Sequence, residues 1–294
     1  MSTTTATPVT APPQVSSAQR RGVKGRRNYL GGFFGWLWLA IIIIPIYYVV
    51  ITTFKDQGAY FTQNPLALPN PPTLAAYQDV VEADIIRYFF NSVIVTVGAV
   101  IPLVLFSFLA SYAIVRGNSR LLRVSRSMFL LGLAIPLQAT IIPIYLIITR
   151  IHMYDSLGAL ILPSIAFGIP LTVLILSNFI RDVPRELFES MRLDGCTDWQ
   201  MAWRLAFPLT KPAIVTVSIY NGLNVWNGFL FALILTQSPE KRVMPLALWA
   251  FQGEYQVNIP AVLAAVVLST LPILILYMVG RRQLLRGLTA GFGK

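Results

Sequence analysis

Six long apolar runs separated by short polar segments organise the chain. They cover roughly residues 31–54, 89–115, 127–149, 157–180, 213–236 and 260–280. Each holds about 20 residues or more, enough to cross a ~30 Å hydrocarbon core as a helix. None carries Asp, Glu, Lys, Arg or His in its interior. The runs do not alternate apolar and polar positions, as the strands of a membrane barrel do. Only helices and closed barrels satisfy their backbone in lipid, so the pattern predicts helices. The first run exceeds the about 7–15 apolar residues of a cleavable leader and is read as a retained span. The fold class expected is an all-α membrane protein with six transmembrane helices.

Prolines interrupt five of the runs, at Pro45, Pro102, Pro136, Pro143, Pro163, Pro170 and Pro272. Such prolines either kink helices for packing or shape a cavity or gate, because neighbouring helices can re-satisfy the freed carbonyls.

Composition strengthens the membrane reading. Hydrophobic residues make up 55% of the 294 and charged residues 12%, with a mean hydropathy of +0.65. A soluble domain carries about 25% charged residues. The net charge of +11 does not mark a nucleic-acid binder, because the basic residues sit between the apolar runs. Eighteen Lys and Arg fall on one side and five on the other, which predicts both termini in the cytoplasm. Residues 1–19 are rich in Thr, Pro, Ser and Ala, and Arg20, Arg21, Lys24, Arg26 and Arg27 follow. Residues 1–28 are therefore expected to be a disordered basic tail, with 29–294 as the transmembrane domain. A single cysteine, Cys196, and a single histidine, His152, give no disulfide and no metal cluster. No cofactor is expected.

Residues 181–212, RDVPRELFESMRLDGCTDWQMAWRLAFPLTKP, form the longest segment predicted to be cytoplasmic. Asp182 and Pro184 suit a helix start. Leu187, Phe188 and Met191 share one face, and Gly195 suits a left-handed stop. Thr197 and Gln200 spell a capping box for a second helix, with Trp199, Ala202 and Trp203 as its apolar stripe and Pro208 and Pro212 as its end. Such a hairpin could lie on lipid, but Glu186, Glu189, Asp194 and Asp198 suit a protein partner better.

The same segment resembles the EAA loop of ABC-importer permeases, whose pattern is E-A-A, three residues, G, nine residues, then I-x-L-P. Glu189, Ser190 and Met191 take the E-A-A positions, Gly195 the glycine, and Leu205, Phe207 and Pro208 the final fixed positions. Ser190, Met191, Leu205 and Phe207 depart from the pattern, while its spacing is intact. The likeness is to the MalG-type branch of carbohydrate permeases. It extends to residues 64–77, Asn91–Ser92, Trp226–Asn227, residues 243–245, Leu271–Pro272 and the tail 286–294.

The resemblance implies an ABC type I importer permease fold. It also implies a second permease subunit, two copies of a cytoplasmic ATPase, an extracytoplasmic solute-binding protein and a sugar substrate, all at a lipid bilayer. Glu189 would pair with a basic residue of the ATPase. Gly195, next to Asp194, would allow the bend, Leu187, Phe188 and Met191 would supply apolar contact, and Pro208 would close the motif. Residues 237–258, with Lys241, Arg242, Trp249 and Tyr255, would touch the binding protein or serve as a plain connecting loop.

The chain contains no G-x-x-x-x-G-K-[ST] phosphate loop, so ATP hydrolysis is expected on a partner. An ion-coupled secondary sugar transporter is the main alternative, and the lack of ionisable groups within the runs weighs against it. No intramembrane catalytic constellation is present. An uncharged but polar path would suit a hydroxyl-rich solute. Tyr220, Asn221 and Asn224 are candidates for its wall, and the competing reading is hydrogen bonding between helices.

Overall fold

The computed structural model describes residues 29–251 and 257–290. The expected disordered tail, Tyr255 and residues 291–294 lie outside them. The chain divides into Met1–Pro45 and Ile46–Lys294. The described part of the first unit is the start of helix α1 (Tyr29–Thr52), uncharged throughout and containing Pro45.

In the second unit, after the end of α1, come α2 (Gln57–Thr62), α3 (Ala75–Glu82), α4 (Ile85–Arg116), α5 (Arg120–Gly132), α6 (Ile141–Arg150) and α7 (Leu157–Arg181). Then follow α8 (Arg185–Leu193), α9 (Asp198–Met201), α10 (Phe207–Trp226), α11 (Phe229–Leu235) and α12 (Ile259–Ala290). A π-turn covers Ala202–Ala206, and 3-10 turns cover Leu137–Thr140, Pro239–Lys241 and Met244–Phe251. The described residues form no β-sheet.

Helix α4 shows how the sequence builds this bundle. Ile85, Tyr88, Val95, Ala99, Leu103 and Phe108 are buried, while Ile86, Phe90, Ile94, Val97, Ile101 and Leu105 form an exposed apolar stripe at helical spacing. A water-facing helix would make that stripe polar, so it belongs against lipid or another subunit. The buried side packs closely on α7 through small residues, as membrane helices do. A Cβ on Gly98 would stand 2.9 Å from the Ile161 side chain, and the Ser111 hydroxyl donates to the Val173 carbonyl at 3.1 Å.

Among the described residues, α1, α4 and α7 are each long and apolar enough to cross a membrane alone. Two further spans arise if each of two bent pairs counts as one, and Ile259–Ile275 is a shorter apolar stretch of α12. The expected continuous span at 127–149 is corrected by a break. Helix α5 begins earlier, at Arg120, and the chain turns by 102° between Gly132 and Leu137. Pro136 lacks an N–H and pushes Ile135 out of the helical region, and the amides of Leu133, Ala134 and Ile135 bond only three residues back. The expected span at 213–236 bends by 46° between α10 and α11, at Asn227 and Gly228. Two short helices, α2 and α3, add local structure the hydrophobic pattern did not predict.

Candidate functional site

The hairpin between α7 and α10 is assembled from strictly local signals. Glu186 in the first turn of α8 and Arg192 in its last complement the helix dipole. Gly195 adopts φ +80°, and the chain closes a Schellman motif there: the Cys196 amide donates to the Met191 carbonyl at 2.9 Å and the Gly195 amide to the Arg192 carbonyl at 3.1 Å. Thr197 and Gln200 form the reciprocal capping box that the sequence spelled. An exposed ion pair, Arg192 to Asp198 at 2.7 Å, links α8 to α9 and is worth under about 1 kcal/mol.

Pro208 and Pro212, expected from the sequence to end the second helix, do not end it, because α9 runs through the π-turn directly into α10. Pro208 has no N–H to give the Arg204 carbonyl. The wider turn, with the Phe207 amide bonded to the Ala202 carbonyl, absorbs the mismatch. The hairpin's second arm is therefore one continuous rod with α10.

The candidate coupling residues separate into two groups. Leu187 and Glu189 are exposed with Asp194 and Gly195 at the bend, and Leu193 is 89% exposed. Glu189 makes no ion pair within the chain among the described residues. Phe188, by contrast, is 1% exposed and sits against Tyr112, with the half-buried Arg116 guanidinium 4.0 Å above its ring. Met191 is half-buried against the same core, and Pro208 is exposed at the base. Trp203 packs on Phe108 and Phe207 and edges against the exposed Trp199. Phe188 thus anchors the hairpin to α4, leaving Leu187, Glu189 and Leu193 on the free side.

At the other end of α4, two motifs quoted from the sequence meet. The Asn91 amide donates to the Glu240 and Arg242 carbonyls, both at 2.8 Å, and the Met244 amide donates to the Ser92 hydroxyl at 2.8 Å. The segment that carries Lys241 and Arg242 is thereby clamped to α4. It is clasped a second time by Asp155, in the loop between α6 and α7. The Asp155 carboxylate accepts from the Gln237 amide at 2.8 Å, the Ser238 amide at 3.0 Å and the Ser238 hydroxyl. Burial pushes the Asp155 carboxyl up, but the Ser238 hydroxyl, the two amides and nearby Lys241 outweigh it and hold it below its usual value.

Tyr220, Asn221 and Asn224 line one cavity of about 290 Å³ together with Ser164, Phe167 and Phe231. The structural kinks shape it: Leu137 follows the break after α5, Gly168 lies between Pro163 and Pro170, and Gly228 is at the α10–α11 bend. Asn221 is buried and bonded across helices to Thr172 at 2.9 Å, whereas Tyr220 and Asn224 are exposed in the single chain. Trp226 holds the Ser269 carbonyl at 3.3 Å, a packing role. The sequence reading missed Arg116, which it used only as an orientation charge. It also missed Gly168, for which the two flanking prolines were the available signal.

The described residues thus form apolar helices around a mostly apolar cavity with a few polar groups, with an exposed helical hairpin between α7 and α10. Residues 103–289 match the family described as binding-protein-dependent transport system inner membrane component, and the chain belongs to that family. It is a multi-pass protein of the cytoplasmic membrane. The ORF2 chain of Caldicellulosiruptor sp. (strain Rt8B.4) is 38% identical over 255 residues, 87% of this chain and 93% of that one. The diacetylchitobiose uptake system permease protein DasC of Streptomyces coelicolor is 34% identical over 251 residues, 85% of this chain and 91% of its own length. The fold is similar to a chain of a bacterial ABC transporter involved in the import of the acidic polysaccharide alginate. There the TM-score is 0.74 at 22% identity, covering 87% of this chain and 97% of that one.

Proposed function

We propose that this chain is one of two membrane permease subunits of an ATP-driven, binding-protein-dependent importer of a di- or oligosaccharide. Two copies of a separate cytoplasmic ATPase drive alternating access, and an extracytoplasmic solute-binding protein delivers the sugar. In this reading α12 is the sixth span and both termini are cytoplasmic. The clamped segment at 237–251 faces the binding protein, and Tyr220, Asn221 and Asn224 belong to the sugar path. The name of the Streptomyces relative, a diacetylchitobiose permease, supports a sugar cargo.

The observation that carries the coupling role is the two-sided hairpin. Its buried residues Phe188 and Met201 belong to one core with Phe108 and Tyr112 of α4, while Leu187, Glu189 and Leu193 are exposed. A partner pressing on that free side moves a rod continuous with the cavity-lining helix. The test is Glu189→Lys and Gly195→Pro in the purified complex. Loss of ATPase co-purification, or of sugar-stimulated hydrolysis, is expected with the membrane subunits still assembled. Full coupling in both variants contradicts the role.

A further inference from the structure

The hydrogen bonds already made around the 290 Å³ cavity leave it chemically one-sided. Asn221 spends both amide hydrogens within the chain, on Thr172 Oγ1 at 2.9 Å and the Val217 carbonyl at 2.8 Å. Asn224 spends one on the Tyr220 carbonyl at 2.8 Å. A carbonyl can only accept, so these contacts fix which end of each amide is nitrogen. Thr172 gives its own hydrogen to the Gly168 carbonyl at 2.8 Å, which leaves it the acceptor toward Asn221. Ser164 gives its single hydrogen to the Leu160 carbonyl at 2.7 Å.

What remains for an occupant is mostly lone pairs. Asn221 Oδ1, Asn224 Oδ1 and Ser164 Oγ can accept, against one remaining Asn224 N–H and the Tyr220 hydroxyl as donors. No lining residue is charged. Phe167 and Phe231, with ring centroids 5.8 Å apart, add apolar ring surface suited to the C–H face of a pyranose. A neutral sugar brings a donor on every hydroxyl and matches this wall. A carboxylate brings only acceptors and a charge, and here it would meet amide oxygens with no cation to repay its desolvation.

We propose that this cavity is a sugar-contact site of this subunit that admits neutral, hydroxyl-donating saccharides and turns away acidic ones. The inference rests on reading the chain as a sugar permease and adds the charge class of the cargo. At about 290 Å³ the cavity is at the small end of ligand sites, which suits contact with one sugar unit rather than enclosure of a chain.

The test uses the purified permease–ATPase complex without the binding protein, whose own selectivity would mask the wall. Maltose, cellobiose and diacetylchitobiose serve as neutral probes, and digalacturonate and dimannuronate as acidic ones, each followed by saturation-transfer NMR. The wild-type complex is expected to show transfer to at least one neutral probe and to neither acidic probe. Asn224→Leu should weaken that neutral binding by about fivefold, the equivalent of one hydrogen bond. Asn224→Arg, which exchanges an acceptor for a cation, should admit the acidic probes. Acidic probes binding the wild type as well as the neutral ones overturns the inference and leaves the permease reading standing. So does an Asn224→Leu complex that binds the neutral probe unchanged. If no probe of either class binds, the cavity is not a sugar site and the inference falls. The permease reading then fails separately only if the reconstituted importer takes up no sugar.

Discussion

Gly195 and Asp155 both stand in the left-handed region, at φ +80° and +58°, and they meet its cost differently. A Cβ on Gly195 would touch nothing within 4 Å, so Gly195→Ala carries a backbone penalty alone, about 1–2 kcal/mol. Thermal unfolding of the purified subunit should show that modest loss without loss of assembly. Asp155 is held by the bonds its carboxylate accepts from residues 237 and 238. Its folded pKa lies below its unfolded value of about 3.9, so the charged clasp stabilises above that value. The stabilisation is lost as pH falls through the lower folded value. The Asp155→Asn variant should therefore be less stable than the wild type at neutral pH, with the gap closing only in strong acid. A gap independent of pH between neutrality and strong acid would show that the charge contributes nothing to the clasp.

Helix α4 is the element that carries the most consequences. Its first turns clamp residues 240–244 through Asn91 and Ser92, and its last turns hold Phe188 beneath Arg116. Deleting the buried ring in Phe188→Ala should cost about 3–5 kcal/mol locally, through lost burial and a cavity. Hydrogen exchange should report it as lost protection in α8 with the middle of α4 unchanged. Equal loss along both helices would mean that the hairpin is not an independently anchored element. The broken helices follow the same logic in reverse. At Gly132–Leu137 and at Asn227–Gly228 the backbone leaves helical geometry, and residues from both places line cavities. Irregular backbone at membrane depth is tolerated where protein or a cavity surrounds it.

For the whole molecule, hydropathy and local capping signals made much of the fold legible. The apolar runs marked α1, α4 and α7 closely. Gly195 and the Thr197–Gln200 pair marked the hairpin bend to the residue, because a left-handed stop and a capping box are encoded within a few positions. The 102° break near Pro136 was not legible as a turn, since a run of apolar residues reads alike whether straight or folded back. Pro208 misled for a related reason: it signals a lost hydrogen bond, and only the surrounding packing decides between a helix end and a π-turn. The burial of Phe188 was out of reach as well. Periodicity assigns a residue to a face, but not whether that face meets its own chain or a partner. The three cavity residues were found as polar groups in an apolar run, whereas their spent amide hydrogens exist only in three dimensions.

If ATP hydrolysis on a partner drives sugar through this subunit, sugar uptake into proteoliposomes reports it. The assembled importer is reconstituted with its binding protein outside and ATP inside, and uptake of labelled diacetylchitobiose and maltose is followed. Uptake of at least one sugar is expected to require internal ATP, to be blocked by vanadate and to persist when ionophores collapse the proton and sodium gradients. Uptake that continues without ATP and stops when those gradients collapse would contradict it, and would place the chain among ion-coupled transporters instead.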